Sequence, residues 1–204
     1  MKMLLELFSR LRQKVKGLEA PRFKIEDDIE LRLLEERHAE ELFTLMNLNR
    51  QYLREWLPWL DNNRSIEDTE EFLRDSLEQF RINNGFQCGI WFQGELAGVI
   101  GYHKIDWVNR ATSIGYWLGA RFQGMGLMTK VCRVLIDYAF NELRLNRVEI
   151  RCAVENKKSR AIPERLGFKK EGVIRQAEWL YDRFVDHMVY GMLRSEREDL
   201  NKQI

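Results

Sequence analysis

The sequence predicts one α/β domain built on a single mixed sheet, mostly antiparallel, of six to seven strands with about four helices around it. Three observations carry this. Short apolar runs between residues 29 and 193 alternate with the period of half-buried strands. Two of them, Ala111–Gly119 and Arg147–Val154, are separated by a glycine turn and a helical run, and such a crossover is right-handed and returns parallel. The 204 residues suit one domain with a sizeable core. Residues 1–22 read as a helical extension, and residues 23–204 as the domain.

The elements follow in order. Met3, Leu4, Leu7, Phe8, Leu11, Val15 and Leu18 recur at helical spacing among Lys2, Arg10, Arg12, Lys14 and Lys16. That is a basic amphipathic helix, ended by Gly17 and Pro21. It either packs on its own domain, pairs with a second subunit in a homodimer, or meets an anionic membrane surface or acidic partner. Ile29–Leu33 is the first strand. Glu36 to Asn47 is a helix with Ala39, Leu42, Phe43 and Met46 on one face. Tyr52 to Leu60 is broken by Pro58 and reads as a short helix entering a loop. Ser65 and Asp68 form a capping box for a helix carrying Phe72, Leu73, Leu77 and Phe80, which Gly85 ends. Phe86–Gln93 and Glu95–Asp106 form a hairpin about Gly94, and Asn109-Arg110 turns the chain into the next strand. Thr129–Leu143 is a helix with Val131, Leu135, Ile136, Ala139 and Phe140 inward. Asn156–Leu166 is another, closed by Gly167 at the position that favours a left-handed residue. Phe168–Glu178 and Phe184–Leu193 complete the sheet.

Composition excludes several classes. Lysine and arginine nearly balance aspartate and glutamate, giving a net charge of +1, which argues against a dedicated nucleic-acid binder. Three cysteines (Cys88, Cys132, Cys152) give neither a disulfide framework nor a CxxC metal site. His38, His103 and His187 lack ligand spacing, so no metal is expected. No apolar run approaches membrane-spanning length, and Glu6 and Arg10 interrupt the N-terminal apolar residues, so a cytoplasmic protein is expected.

The strongest motif is the strand Ile114-Gly115-Tyr116-Trp117-Leu118 running through Gln123-Gly124-Met125-Gly126-Leu127-Met128 into a helix at Thr129. Glycines between strand and helix let successive backbone N–H groups converge on one point, and the helix N-terminus adds its free donors and positive dipole end. That is an anion cradle without a dedicated lysine. No Gly-Lys-Ser/Thr follows, and no third glycine stands at Thr129, so triphosphate loops and dinucleotide fingerprints are both excluded.

About thirty residues on stands Asn156-Lys157-Lys158-Ser159-Arg160-Ala161-Ile162-Pro163-Glu164-Arg165-Leu166-Gly167-Phe168. The glycine turn followed by this segment resembles the coenzyme-binding core of the GNAT acetyltransferases. Trp56-Leu57-Pro58-Trp59, Arg151-Cys152-Ala153-Val154-Glu155-Asn156 and Gln176-Ala177-Glu178-Trp179-Leu180 are similar to the RimJ/RimL branch, which acetylates N-terminal amines of ribosomal proteins. The resemblance spans roughly residues 25–195. Met128 departs from the glycine or alanine usual at that turn position and points to this branch.

The resemblance implies a central splay between the two parallel strands, with acetyl-CoA entering it and no metal. Backbone groups of Tyr116, Trp117 and Leu118 would hold the pantetheine arm, and those of Gln123, Gly124, Met125, Gly126, Leu127, Met128 and Thr129 the pyrophosphate. Asn156 would cap its helix, contact the coenzyme, or both. Ser159 matches the hydroxyl that protonates the leaving thiolate; the plainer reading is a local backbone partner. Cys152 reads as a small buried apolar residue rather than an acylated nucleophile. Glu178 matches the general base, against a solvated charge at a strand end. An α-amine has a pKa near ~7.8, whereas a lysine amine costs roughly 4–5 kcal/mol to deprotonate at neutrality. A water oriented by Glu178 therefore suffices for an α-amine. Trp56 and Trp59 either line the acceptor groove or form a hydrophobic lid. The expected function is direct acetyl transfer to a protein N-terminal amine; the alternatives are a small-molecule amine acceptor or a non-catalytic acyl-CoA-binding module.

Overall fold

A computed structural model describes residues 21–202; the amphipathic segment 1–20 lies outside the described residues. The strands are β1 (Arg22–Glu26), β2 (Ile29–Leu33), β3 (Phe86–Phe92), β4 (Glu95–Asp106), β5 (Ala111–Leu118), β6 (Arg147–Ala153), β7 (Lys169–Leu180) and β8 (Arg183–Leu193). The α-helices are α1 (Ala39–Leu48), α2 (Arg50–Leu53), α3 (Ile66–Arg81), α4 (Leu127–Asn141), α5 (Lys157–Leu166) and α6 (Arg194–Lys202). All eight strands join one sheet in the order β1-β2-β3-β4-β5-β6-β8-β7. Every pairing is antiparallel except β5 with β6, which is parallel as the crossover rule requires.

The extra strand, against the six to seven expected, is β1. Its Phe23 and Ile25 pack on the core, and the Phe23 ring meets Tyr138 of α4 edge-on at 5.2 Å. Strand β1 begins at Arg22, one residue inside the expected helical extension 1–22. The further helix α6 has no apolar stripe to announce it. Ion pairs hold it instead: Arg197 grips Asp137 of α4 through two bonds of 2.8 and 3.0 Å, and Glu196 pairs with Lys169.

Local signals behave as their chemistry dictates. Ser65 accepts from Asp68 N–H, and the Asp68 carboxylate accepts from Ser65 N–H, a reciprocal box opening α3. Gly167, at φ 85°, ends α5 with bonds from Phe168 N–H to Pro163 O and from Gly167 N–H to Glu164 O. Those two bonds are the Schellman closure. Helix α4 buries Val131, Leu135, Ile136, Ala139 and Phe140 with Leu127, Met128 and Cys132. Each large apolar side chain buried there contributes about 1.5–3 kcal/mol. Helices α1 and α3 pack together against β4 and β3, and α4 lies across β1, β4, β5 and β6 with α5 beside it.

One feature positions the site. Strands β5 and β6 pair only over Ala111–Arg147, Thr112–Val148 and Ser113–Glu149. Beyond these three pairs both strands continue, to Leu118 and Ala153, without pairing. The sheet opens into a wedge at its middle.

Candidate active site

The backbone along one wall of the wedge is unpaired. Gly119 N–H donates to Ala97 O of the preceding hairpin, and the antiparallel register runs on as Leu118–Gly98, Trp117–Val99 and Tyr116–Ile100. Hydrogen-bonded and non-hydrogen-bonded pairs alternate in such a ladder. Trp117 and Gly115 therefore bond to β4, and the N–H and C=O groups of Tyr116 and Leu118 face the gap. Of the three residues expected to hold the arm by backbone, Trp117 turns its polar groups away. It contributes a partly buried ring instead.

The glycine turn joins two left-handed residues to a helix N-terminus. Gly124 and Gly126 have φ of 78° and 76°, the left-handed region that glycine enters without penalty. A Cβ at either would meet nothing within 4 Å, so the space beside both glycines is open. Gly126 caps α4, whose first N–H groups have no partner within the helix. Leu127 and Met128 are buried, so only their amides can serve a ligand. Met125 is exposed. The two remaining side chains are held from α5: Gln123 Oε1 accepts from Lys158 Nζ at 3.0 Å, and Thr129 Oγ1 from Arg165 Nη1 at 2.8 Å. The sequence reading did not single out these two cations. Both lie on the helix flanking the turn, and only the packing of α5 on α4 brings them to it.

Asn156 is the N-cap of α5: its Oδ1 accepts from Ser159 N–H at 3.1 Å. Ser159 faces Tyr116 across the gap. The Tyr116 hydroxyl donates to Ser159 O at 3.0 Å, and Ser159 Oγ donates back to that hydroxyl at 3.4 Å. Burial holds the Tyr116 phenol well above its ordinary range, so it stays protonated. Cys152 also neighbours Ser159. Burial pushes its thiol up to about 11, the Ser159 contact only partly opposing this. A thiol so protonated at neutral pH is a poor nucleophile.

Strand alternation puts the other candidates on the opposite face. Tyr116 and Cys152 point toward α4 and α5. Ser113, Arg151 and His187 point away: Ser113 pairs with Glu149 and His187 with Ala153, and Arg151 shares the face of those two β6 residues. His103 joins them, its Nδ1 3.1 Å from Ser113 Oγ. Its ring reaches solvent yet is crowded by protein, and that crowding, with the Arg151 charge beside it, lowers its pKa. Glu178 Oε2 lies 3.3 Å from His187 Nε2. A bulge in β7 arranges this contact. Ile174 pairs with His187 and Glu178 with Val185, so three residues of β7 face one of β8. Gln176 sits there at φ 49°, its N–H held by Asp186 Oδ1 at 2.8 Å. Bulges of this kind re-aim side chains beside active sites.

The segment carrying Trp56 and Trp59 is tied to the β7–β8 turn. Arg54 chelates Asp61 through bonds of 2.9 and 2.8 Å and stacks 3.8 Å over the Tyr181 ring, whose hydroxyl donates to Leu57 O at 2.6 Å. Trp56 is half-buried and Trp59 is 37% exposed. Among the described residues no hydrogen bond or ring contact links either indole to Ser159 or Glu178. No group of three His, Cys, Asp or Glu could hold a metal ion, and no helix is long and apolar enough to cross a membrane, among the described residues.

A parallel pair splayed beside a glycine turn at a helix N-terminus offers unpaired backbone groups to an extended ligand and free N–H donors to an anion. Comparison agrees: residues 28–169 match the profile of the Acetyltransferase (GNAT) domain. The chain belongs to the GNAT acetyltransferase family. Its Bacillus subtilis (strain 168) relative, named "Putative ribosomal N-acetyltransferase YdaF", is 42% identical over 86% of this chain and 96% of its own length. The ribosomal-protein-serine acetyltransferase of Escherichia coli (strain K12) is 31% identical over 83% of this chain and 95% of its own. A solved RimL structure, a ribosomal L7/L12 α-N-protein acetyltransferase in complex with coenzyme A, superposes with a TM-score of 0.83. It is 29% identical and covers 86% of this chain and 99% of that one. This GNAT chain is thus an acetyl-CoA-dependent N-acetyltransferase of the RimJ/RimL type. The open glycine turn and the free edges of the wedge fit that coenzyme.

Proposed function

We propose that this enzyme acetylates the N-terminal α-amine of a ribosomal protein, with Glu178 as general base and Ser159 as general acid. Acetyl-CoA supplies the activated acyl group. The Leu118 N–H, directed into the gap, polarises the acyl carbonyl. Glu178, steadied by His187, takes the proton the attacking amine releases, through a water. Ser159 Oγ–H donates to the departing sulfur.

The reading is supported by the strand register, in which Ser159 lies on one face of the sheet and Glu178, beside His187, on the other. Nucleophile and leaving group then meet their proton partners from opposite sides. The three buried, free cysteines support direct transfer over an acyl-cysteine route. The names of the relatives support a ribosomal-protein acceptor, which would place the reaction in the cytoplasm. The test is thiol release from acetyl-CoA with N-terminal peptides of ribosomal proteins, lysine peptides, polyamines and aminoglycosides. Turnover confined to small polyamines or aminoglycosides would overturn the acceptor assignment.

A further inference from the structure

We infer that Pro163 is a positioning residue for Ser159, acting through the hydrogen bond it cannot make. In an α-helix each carbonyl accepts from the N–H four residues on. For Ser159 that residue is Pro163, which has no N–H and whose ring crowds the carbonyl four positions back. Pro163 stands well inside α5, beyond the first turn where proline is tolerated. The vacated Ser159 carbonyl accepts instead from the Tyr116 hydroxyl, which reaches across from β5 at 3.0 Å.

That bond sets the direction of its neighbour. A tyrosine hydroxyl has one proton. Once it is committed to Ser159 O, Tyr116 can only accept from Ser159 Oγ, 3.4 Å away. The 3.4 Å bond is long, and in the reaction the Ser159 proton turns from Tyr116 to the sulfur while the Tyr116 bond to Ser159 O keeps that residue in place. An N–H at position 163 would reclaim the carbonyl and release the Tyr116 tie that fixes where Ser159 stands. Closure of the helix does not depend on this device. The Pro163 carbonyl accepts from Phe168 N–H, a bond that any residue at 163 can keep.

The inference rests on Ser159 as the general acid. Its test is Pro163→Ala in the full chain, with Tyr116→Phe, the double variant, and Ser159→Ala as reference. Pro163→Ala is expected to lower kcat about tenfold, the worth of one lost hydrogen bond, with KM for acetyl-CoA and acceptor unchanged. Its Tm should be unchanged or higher, because alanine is the better helix former. Tyr116→Phe should match that loss, and the double variant should be no slower than either single one. A proline with a merely structural role would show the reverse, a lower Tm with kcat intact. If Ser159→Ala loses turnover and Pro163→Ala retains it, this inference fails and the proposed function stands. If Ser159→Ala retains turnover, the general-acid assignment itself fails.

Discussion

Replacing Gly126 by alanine separates the turn's role in folding from its role in binding. An added Cβ meets no atom within 4 Å, so the free protein suffers no clash. The cost is conformational alone: an L-residue at φ 76° loses about 1–2 kcal/mol. For a chain of this size that lowers Tm by roughly 2–8 °C. Bound coenzyme is a different matter. On the proposed placement the methyl intrudes where the pyrophosphate would meet the amides, and two displaced charge-assisted bonds at about 1.5–3 kcal/mol each amount to about 3–6 kcal/mol. Coenzyme A affinity should then fall by about 10²–10⁴-fold. Gly94 supplies a matched control, having φ 83° and equally open surroundings at the β3–β4 turn. Gly94→Ala should lose the same few degrees and bind coenzyme normally. Calorimetric titration with coenzyme A and thermal melts of both variants decide the matter. Coenzyme affinity within twofold of wild type in Gly126→Ala would refute the placement of the pyrophosphate.

Other outcomes follow from the same geometry. Ser159→Ala and Glu178→Gln should each lower kcat by about 10²-fold or more while coenzyme affinity holds, as measured by steady-state kinetics and titration. Equal kcat in either removes that residue from the mechanism. Tyr181→Phe deletes the bond to Leu57 O and loosens the Trp56–Trp59 segment. Acceptor KM should rise several-fold, by about the worth of one hydrogen bond, and coenzyme binding should not change. Cys152 has a folded pKa raised to about 11, so its contribution to stability is full below the unfolded thiol value and is lost as pH rises toward 11. That contribution is on the order of 2–3 kcal/mol at most. The Tm of Cys152→Ala should therefore decline less than wild type between pH 8.5 and 11, and parallel declines would contradict the burial assigned to this thiol.

The parts legible in the sequence were those written locally. Gly167, the Ser65–Asp68 box, the inward residues of α4 and the crossover between β5 and β6 each depend on a few neighbours or on chain handedness. What escaped depends on packing or register. Helix α6 follows no apolar period because ion pairs anchor it. The contact of Glu178 with His187 exists only because a bulge shifts β7 against β8, and no spacing rule reports a bulge held by Asp186. Lys158 and Arg165 carry no signal of the turn they hold until α5 is laid on α4. Asn156 was legible as a cap, and the cap is what the structure displays.

The three-pair seam between β5 and β6 divides the sheet into a five-stranded half and a three-stranded half. Along their unjoined length these halves are held by side chains and by α4, not by a ladder. An extended coenzyme arm lying between the free edges of Tyr116 and Leu118 would act as a guest strand, removable at every turnover. Completing the sheet and binding substrate then become one event. At a hundredfold excess over its Kd the coenzyme would add about 2.7 kcal/mol to the fold. Amide exchange at Tyr116 and Leu118 would slow on loading and quicken on product release, so the enzyme's catalytic cycle would also be a cycle of stiffening and loosening.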